Sequence, residues 1–212
     1  ITGGYSLAEP TLSMARKHPG TAFVVVGQSP PEEDSPSNLA GVIFPEKRAG
    51  IWAGALAAHF SETRIVGAVF ANQAIPTVAT YARGFEAGAQ EVDAQVIFYT
   101  SGRFSDSLND REWGADQADS LYNDRKADIL FAYGGATGLA ALEQFQGQVI
   151  GVEIDFARRY PSMRERLVAS IVFDMSILQE IARAGQISQA VYEGEYRVLW
   201  GDTPAPEVLE SL

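Results

Sequence analysis

The sequence predicts an α/β protein built on parallel β-strands flanked by helices. Three observations carry that reading. Short apolar runs recur along the chain, several of them are apolar at consecutive positions, and amphipathic helical patterns lie between them. Strands buried on both faces, as in parallel sheets, read as continuous apolar runs rather than as alternations. Strand–helix–strand alternation in turn implies right-handed crossovers.

The chain opens Ile1-Thr2-Gly3-Gly4, an apolar residue running straight into glycines. This reads as the end of a strand whose start lies upstream, in a longer mature chain that would also have carried any targeting signal. The next strand is 22–26, with three successive valines, followed by a Ser/Pro/acidic loop over 29–37 and a strand over 39–44. Trp52, Leu56 and Phe60, four apart, mark a helix. A strand at 65–70 leads to a second helix, with Tyr81, Phe85, Ala89 and Val92 on one face. Strands at 96–99, 129–132, 149–152 and 167–172 follow. Helices marked by Ala115, Ala118 and Tyr122, and by Leu139, Leu142 and Phe145, separate the first three of them. Leu178, Ile181 and Ala182 mark a final helix, and 201–206 is a turn-rich connector.

Composition narrows the function. Of 212 residues, 46% are hydrophobic and 20% charged, an ordinary globular balance. Sixteen Lys and Arg against 27 Asp and Glu leave a net charge of −11, which disfavours nucleic-acid binding and charge-driven docking on an anionic membrane. With no Cys, thiolate catalysis and thiolate zinc sites are excluded, and two His (His18 and His59) leave little for His-based catalysis. The chain has no GxxxxGK[ST] loop, GxGxxG fingerprint or GxSxG elbow. No cofactor, metal site or catalytic residue is expected.

Ligands of open α/β sheets bind beyond the carboxyl ends of the strands. Those ends carry Phe70 and Asn72, then Tyr133, Gly134 and Gly135, then Glu153 and Asp155. Aromatics, amides, glycines and carboxylates together suit a neutral, flat, polyhydroxylated ligand, with rings for stacking and carboxylates accepting from sugar hydroxyls. Phe70 and Tyr133 are equally at home in a core, and the glycines in backbone turns. Glu153 and Asp155 share a side if their strand continues that far.

The motifs, in order, resemble the basic membrane protein family of substrate-binding lipoproteins of ABC importers. The likeness covers nearly the whole chain. It rests on Ala15-Arg16-Lys17-His18-Pro19-Gly20 before the valine run, the Ala49-Gly50-Ile51-Trp52-Ala53-Gly54 helix, Gly84-Phe85-Glu86-Ala87-Gly88-Ala89, and Phe104-Ser105-Asp106. Ala127-Asp128-Ile129-Leu130-Phe131-Ala132 followed by Gly134, Gly135, Thr137 and Gly138, and then Ile150-Gly151-Val152-Glu153-Ile154-Asp155, complete it.

The resemblance implies a two-lobed type I periplasmic-binding-protein fold whose first strand–helix–strand unit precedes Ile1. Residues 1–61 with 170–212 would form an incomplete N-terminal lobe and 62–169 a second α/β lobe. It implies a non-enzymatic solute-binding protein that holds a purine nucleoside or similar polar solute in the inter-lobe cleft by hinge closure. That protein would work outside the cytoplasm, with an ABC permease as partner and an upstream lipid anchor as its membrane contact. By carry-over, Tyr133 or its glycine neighbours face the base, Asp155 with Glu153 holds ribose hydroxyls, and Asn72 is a polar contact. The chain departs from the family pattern at Gly27 (commonly Asp), Glu153 (Asp) and Phe173 (often Lys). Two alternatives stand beside this reading. One is the ligand-sensing domain of a regulator with the same fold. The other is a nucleoside or sugar enzyme in which Asp106 or Asp174 joins Glu153 and Asp155.

Overall fold

A computed structural model of the chain describes residues 1–3, 7–31, 33–103, 105–187 and 190–202. Gly4, Glu32 of the expected loop, Phe104 and positions 203–206 of the expected connector lie outside the described residues. The chain divides into two compact units, one of Ile1–Pro45 with Phe173–Tyr196 and one of Glu46–Val172 with Arg197–Leu212. The division falls at Glu46 rather than after residue 61, because the helix that begins there packs on the helix Pro76–Glu91 of the larger unit.

The smaller unit holds a parallel sheet in the order β1 (Thr2–Gly3), β2 (Phe23–Val26), β3 (Leu39–Ile43) and β9 (Val191–Glu193). The helix α1 (Ala8–Lys17) buries Leu12 and Ala15 against Val25 and Leu39. Its end is fixed by Asn38, whose Nδ2 donates to the carbonyls of Ala15 and His18 at 3.0 Å each and of Thr21 at 2.8 Å. Parallel neighbours need a crossover, and here positions 27–38 make it with no helix among the described residues. Gly41 lets that loop lie on the sheet, since a Cβ there would sit 2.2 Å from the Gln28 carbonyl oxygen. Phe44, Phe173 and Tyr196 cluster, with Phe44 and Phe173 ring centroids 4.3 Å apart. The helix α7 (Ser176–Ala184) ends on Gly185 in the left-handed conformation, φ 70°.

The larger unit carries a six-stranded sheet. Its order is β10 (Glu195–Trp200), β8 (Leu167–Asp174), β7 (Gln148–Glu153), β6 (Ile129–Tyr133), β4 (Ile65–Phe70) and β5 (Gln95–Thr100). The pairs from β8 through to β5 are parallel. After β4 the chain moves to one edge at β5, and β6 then returns to β4's other side. The order in which strands are added therefore reverses between β4 and β6, the kind of place where ligands bind α/β sheets.

Two helix layers cover this sheet. On one face α2 (Glu46–Phe60) and α3 (Pro76–Glu91) pack over Phe70 and Phe131, with Phe85 of α3 stacked on Phe131 at 5.2 Å and 10°. On the other, α4 (Arg111–Asn123) and α5 (Gly135–Gln144) pack over Leu130, Ala132 and Val149 with Leu121, Leu142 and Phe145. The face of α2 differs from the expected Trp52–Leu56–Phe60 stripe. Ala49, Gly50, Ala53, Gly54, Leu56 and Ala57 are buried, while Trp52 and Phe60 are half-buried. Backbones touch here: a Cβ on Gly54 would lie 2.0 Å from the Phe85 carbonyl oxygen, and one on Gly88 2.0 Å from that of Ile51. Small residues permit this approach, so the interface runs along glycines rather than the large side chains.

All seven expected strand runs are strands, and the five helical patterns are helices. The sequence reading did not anticipate α1, the four-residue α6 (Phe156–Arg159), β9 or β10.

Candidate functional site

The site is built where β6 and β7 end. Tyr133 closes β6, and Gly134 and Gly135 turn the chain into α5 with φ of 131° and 60°. Both turns need glycine twice over: the left-handed backbone disfavours a side chain, and there is no room for one. A Cβ on Gly134 would lie 2.2 Å from Ala71 Cβ, and one on Gly135 2.6 Å from the Leu108 carbonyl oxygen. That carbonyl accepts from Ala136 N–H at 2.7 Å and Thr137 N–H at 3.4 Å, while Thr137 Oγ1 accepts from Asp110 N–H at 2.8 Å. Two N–H groups at the start of α5 are thus bound inside the chain. The glycine turn acts here as a strut rather than a donor array for a ligand.

Tyr133 lies half-buried with its ring 4.2 Å from that of Tyr81 on α3, and its hydroxyl donates to Glu153 Oε1 at 2.8 Å. Strand alternation alone would not produce that bond. Glu153 shares the pleat side of Val149 and Gly151, whereas Tyr133 faces α3. The backbone at Glu153 is left-handed, φ 70°, which ends the alternation at this residue. Burial pushes the Glu153 carboxyl above its usual range. The Tyr133 hydroxyl pulls it down, and the neighbouring Glu46 charge pushes it up. Glu46, in the first turn of α2, is raised as well by its own burial, against a hydrogen bond to its own backbone.

Beside Tyr133 and Glu153 lies a hollow of about 380 Å³, of the size that holds a small organic solute. Tyr133, Gly134, Gly135, Glu153, Ile154 and Tyr160 form part of its wall, and Leu139, Leu142, Val152 and Phe156 make much of the remainder apolar. A second hollow of about 360 Å³ lies at the carboxyl end of β5, between Ser101, Arg103, Asp110 and Trp113. None of the expected site residues lines it.

Four of the seven expected residues meet in the first hollow. The other three have structural work. Phe70 is fully buried, its ring edge-on to Phe85, Phe98 and Phe131, so it belongs to the core. Asn72 bridges two strand ends, donating from Nδ2 to the Ser101 carbonyl at 3.0 Å and accepting from Ala74 N–H at 2.8 Å. Asp155 does not share a strand with Glu153, because β7 stops at Glu153. It caps α6 instead, accepting from Arg158 N–H at 3.1 Å, although its neighbours Ile154 and Phe156 line the hollow.

The enzyme alternative asked for a third carboxylate beside Glu153 and Asp155. Asp106 is exposed, and the Asp174 carboxylate accepts from Ser176 N–H at the start of α7. Among the described residues no three His, Asp or Glu side chains are grouped to hold a metal. Sequence reasoning missed Glu46, Leu139, Leu142 and Tyr160. Glu46 reads only as an acidic first turn after Pro45, and nothing in the sequence says it faces Glu153.

A family profile described as Bmp, ABC transporter substrate-binding protein PnrA-like, matches residues 1–195. The chain belongs to the Bmp family. Over 143 residues it is 27% identical to basic membrane protein B of Borrelia garinii, covering 66% of this chain and 40% of that protein. It is 24% identical over 143 residues to the ABC transporter nucleoside-binding protein BmpA of Lactococcus lactis, covering 66% of this chain and 38% of that one. The chain thus spans about two fifths of the length of these curated relatives.

Solved structures agree on the fold. A solute-binding protein from Conexibacter woesei superposes with TM-score 0.69 at 22% identity, covering all of this chain and 73% of that one. One from Aeropyrum pernix gives 0.70 at 16%, covering 92% and 58%. A transcriptional activator of comK from Bacillus halodurans gives 0.71 at 20%, covering 100% and 74%. At such identities these likenesses establish the periplasmic-binding-protein fold and do not favour the regulator alternative. The matching profile describes substrate-binding proteins of ABC transporters. Among the described residues no helix is long and apolar enough to cross a membrane.

Proposed function

We propose that the chain binds a purine nucleoside or a similar small, polar, ring-bearing solute at the carboxyl ends of β6 and β7 and presents it to an ABC permease from a lipid-anchored, extracytoplasmic position. The observation that carries this is the match over residues 1–195 to the Bmp profile, which is described as an ABC transporter substrate-binding protein. The nucleoside class draws on the relative named as nucleoside-binding and on the hollow itself. A Tyr133 ring at the wall, apolar neighbours and one hydrogen-bonding carboxyl suit a planar base better than a polyphosphate, which would need cations or free helix N–H groups. In this reading Tyr133, Gly134, Gly135 and Glu153 form the site. Phe70, Asn72 and Asp155 support it as core, bridge and cap.

Isothermal titration of the purified full chain with inosine, guanosine, adenosine and ribose tests the ligand class. The expected result is heat with at least one nucleoside and weaker binding of ribose. Absence of heat with every nucleoside removes the ligand class and leaves the family and fold intact.

A further inference from the structure

We infer that Glu153 meets its ligand as a neutral carboxylic acid that donates a hydrogen bond, so that the site selects a solute presenting a carbonyl oxygen or an unprotonated ring nitrogen. This rests on the proposed solute site and assigns one of its residues a role opposite to the acceptor role that a carboxylate suggests.

The geometry supplies three reasons. The Tyr133 hydroxyl already donates to Oε1 at 2.8 Å, which leaves Oε2 as the oxygen free for the hollow. No ion pair between described residues includes Glu153, and the hollow it lines is walled in part by Leu139, Leu142, Val152 and Phe156. A carboxylate left without a cation in apolar surroundings is costly, and protonation relieves that cost.

Third, of the charged and titratable groups around it only the Tyr133 hydroxyl favours its anion, and burial with Glu46 outweighs that bond. From α2, Glu46 presents charge of the same sign. From β6 comes Tyr133, backed by Tyr81 of α3. Just past α6 comes Tyr160, whose ring lies 5.0 Å from the Arg159 guanidinium carbon, while the α5 side chains lining the hollow are apolar. Asp155, two residues along, is engaged with Arg158 N–H. Burial and Glu46 together outweigh the Tyr133 bond and hold the carboxyl above the ordinary range. The left-handed backbone at Glu153 is a rare conformation for such a residue, and it coincides with the placing of this carboxyl beside Tyr133.

Two measurements on the full chain test the assignment. Carbon-13 labelling of the Glu side-chain carboxyls gives a titration curve for each, and Glu153 is the signal missing from the Glu153→Gln variant. It is expected to titrate above the ordinary glutamate range. Titration within or below that range overturns the inference whatever a ligand does.

Inosine is the ligand probe, and its affinity is expected to fall by about tenfold between about pH 5 and about pH 8. Glu153→Gln, whose amide donates at every pH, should lose that dependence. Glu153→Ala should weaken inosine binding by about tenfold at the lower pH. Affinity that rises with pH, or a pH dependence that survives in Glu153→Gln, overturns the donor role. A carboxyl that titrates high while inosine gives no heat at either pH supports the protonated state and removes the nucleoside reading.

Discussion

At the amino end of the larger sheet, just before β6, the Asp128 carboxylate accepts three hydrogen bonds: from Ser61 Oγ at 2.6 Å, Glu62 N–H at 2.7 Å and Thr63 N–H at 2.9 Å. At the carboxyl end of the same sheet, Glu153 accepts one, from Tyr133, and faces Glu46. Burial pushes both acids up. At Asp128 the donors outweigh burial and the carboxyl falls below its usual value, whereas at Glu153 a single donor does not. One end of the sheet has its hydrogen bonds complete and serves stability. The other leaves bonding capacity over, and unsatisfied capacity beside a hollow is what a ligand can complete.

Four measurements sharpen or break this contrast. The largest expected effect is Asp128→Ala, which removes three bonds to a charged acceptor and should cost about 2–3 kcal/mol in urea unfolding, with inosine affinity little changed. An unaltered unfolding midpoint would put Asp128 outside the stabilising network. Tyr133→Phe deletes the donor to Glu153 and should cost about 1–2 kcal/mol, with a clear loss of inosine affinity in calorimetry. Loss of stability without loss of affinity would make the carboxyl end as purely structural as the amino end.

Asp155→Ala removes the cap of a short helix and should cost about 1 kcal/mol. Inosine affinity is expected to hold within about twofold, and a drop of about tenfold would restore Asp155 as a ligand contact.

The smallest effect is on the slope of stability against pH. Asp128 is lowered from 3.8, so its contribution is present above that value and is lost as pH falls through its folded-state value. Glu153 is raised from 4.5, so its contribution is present below that value and is lost as pH rises through its folded-state value. Urea midpoints followed from about pH 3 to about pH 8 should flatten on the acid side in Asp128→Asn and on the higher side in Glu153→Gln. Identical slopes in wild type and both variants would erase the distinction.

The sheets were legible in the sequence because a strand buried on both faces must be apolar at consecutive positions, as in β2, β4 and β6. An edge strand need not be. β10 interleaves Tyr196 with Glu195 and Arg197, β9 is three residues long, and α1 buries only Thr11, Leu12 and Ala15, so none left a pattern to read.

The site was legible only in part, and Phe70 and Tyr133 show why. They are register partners at the ends of adjacent strands, chemically alike and equally visible in the sequence. Beyond Phe70, Ala71 N–H bonds to the Tyr133 carbonyl and Asn72 ties the loop to Ser101, which seals the ring inside. Beyond Tyr133 the two glycines turn away and leave the phenol at the hollow. Which of two aromatics is uncovered depends on the path of the following chain, and local sequence does not carry that path. The Glu46–Glu153 approach joins positions far apart in the chain and leaves no local signal either.

The glycine seam between α2 and α3 reaches further than packing. Because the two backbones touch at Gly54 and Gly88, the helices cannot slide or rotate independently, and they behave as a single girder. Tyr81, which backs the Tyr133 ring, hangs from that girder. A methyl group added at the seam would act as a shim, moving α3 as a whole and dragging the ring alignment with it. The alignment of the rings beside the hollow is thus set partly by atoms that never approach it.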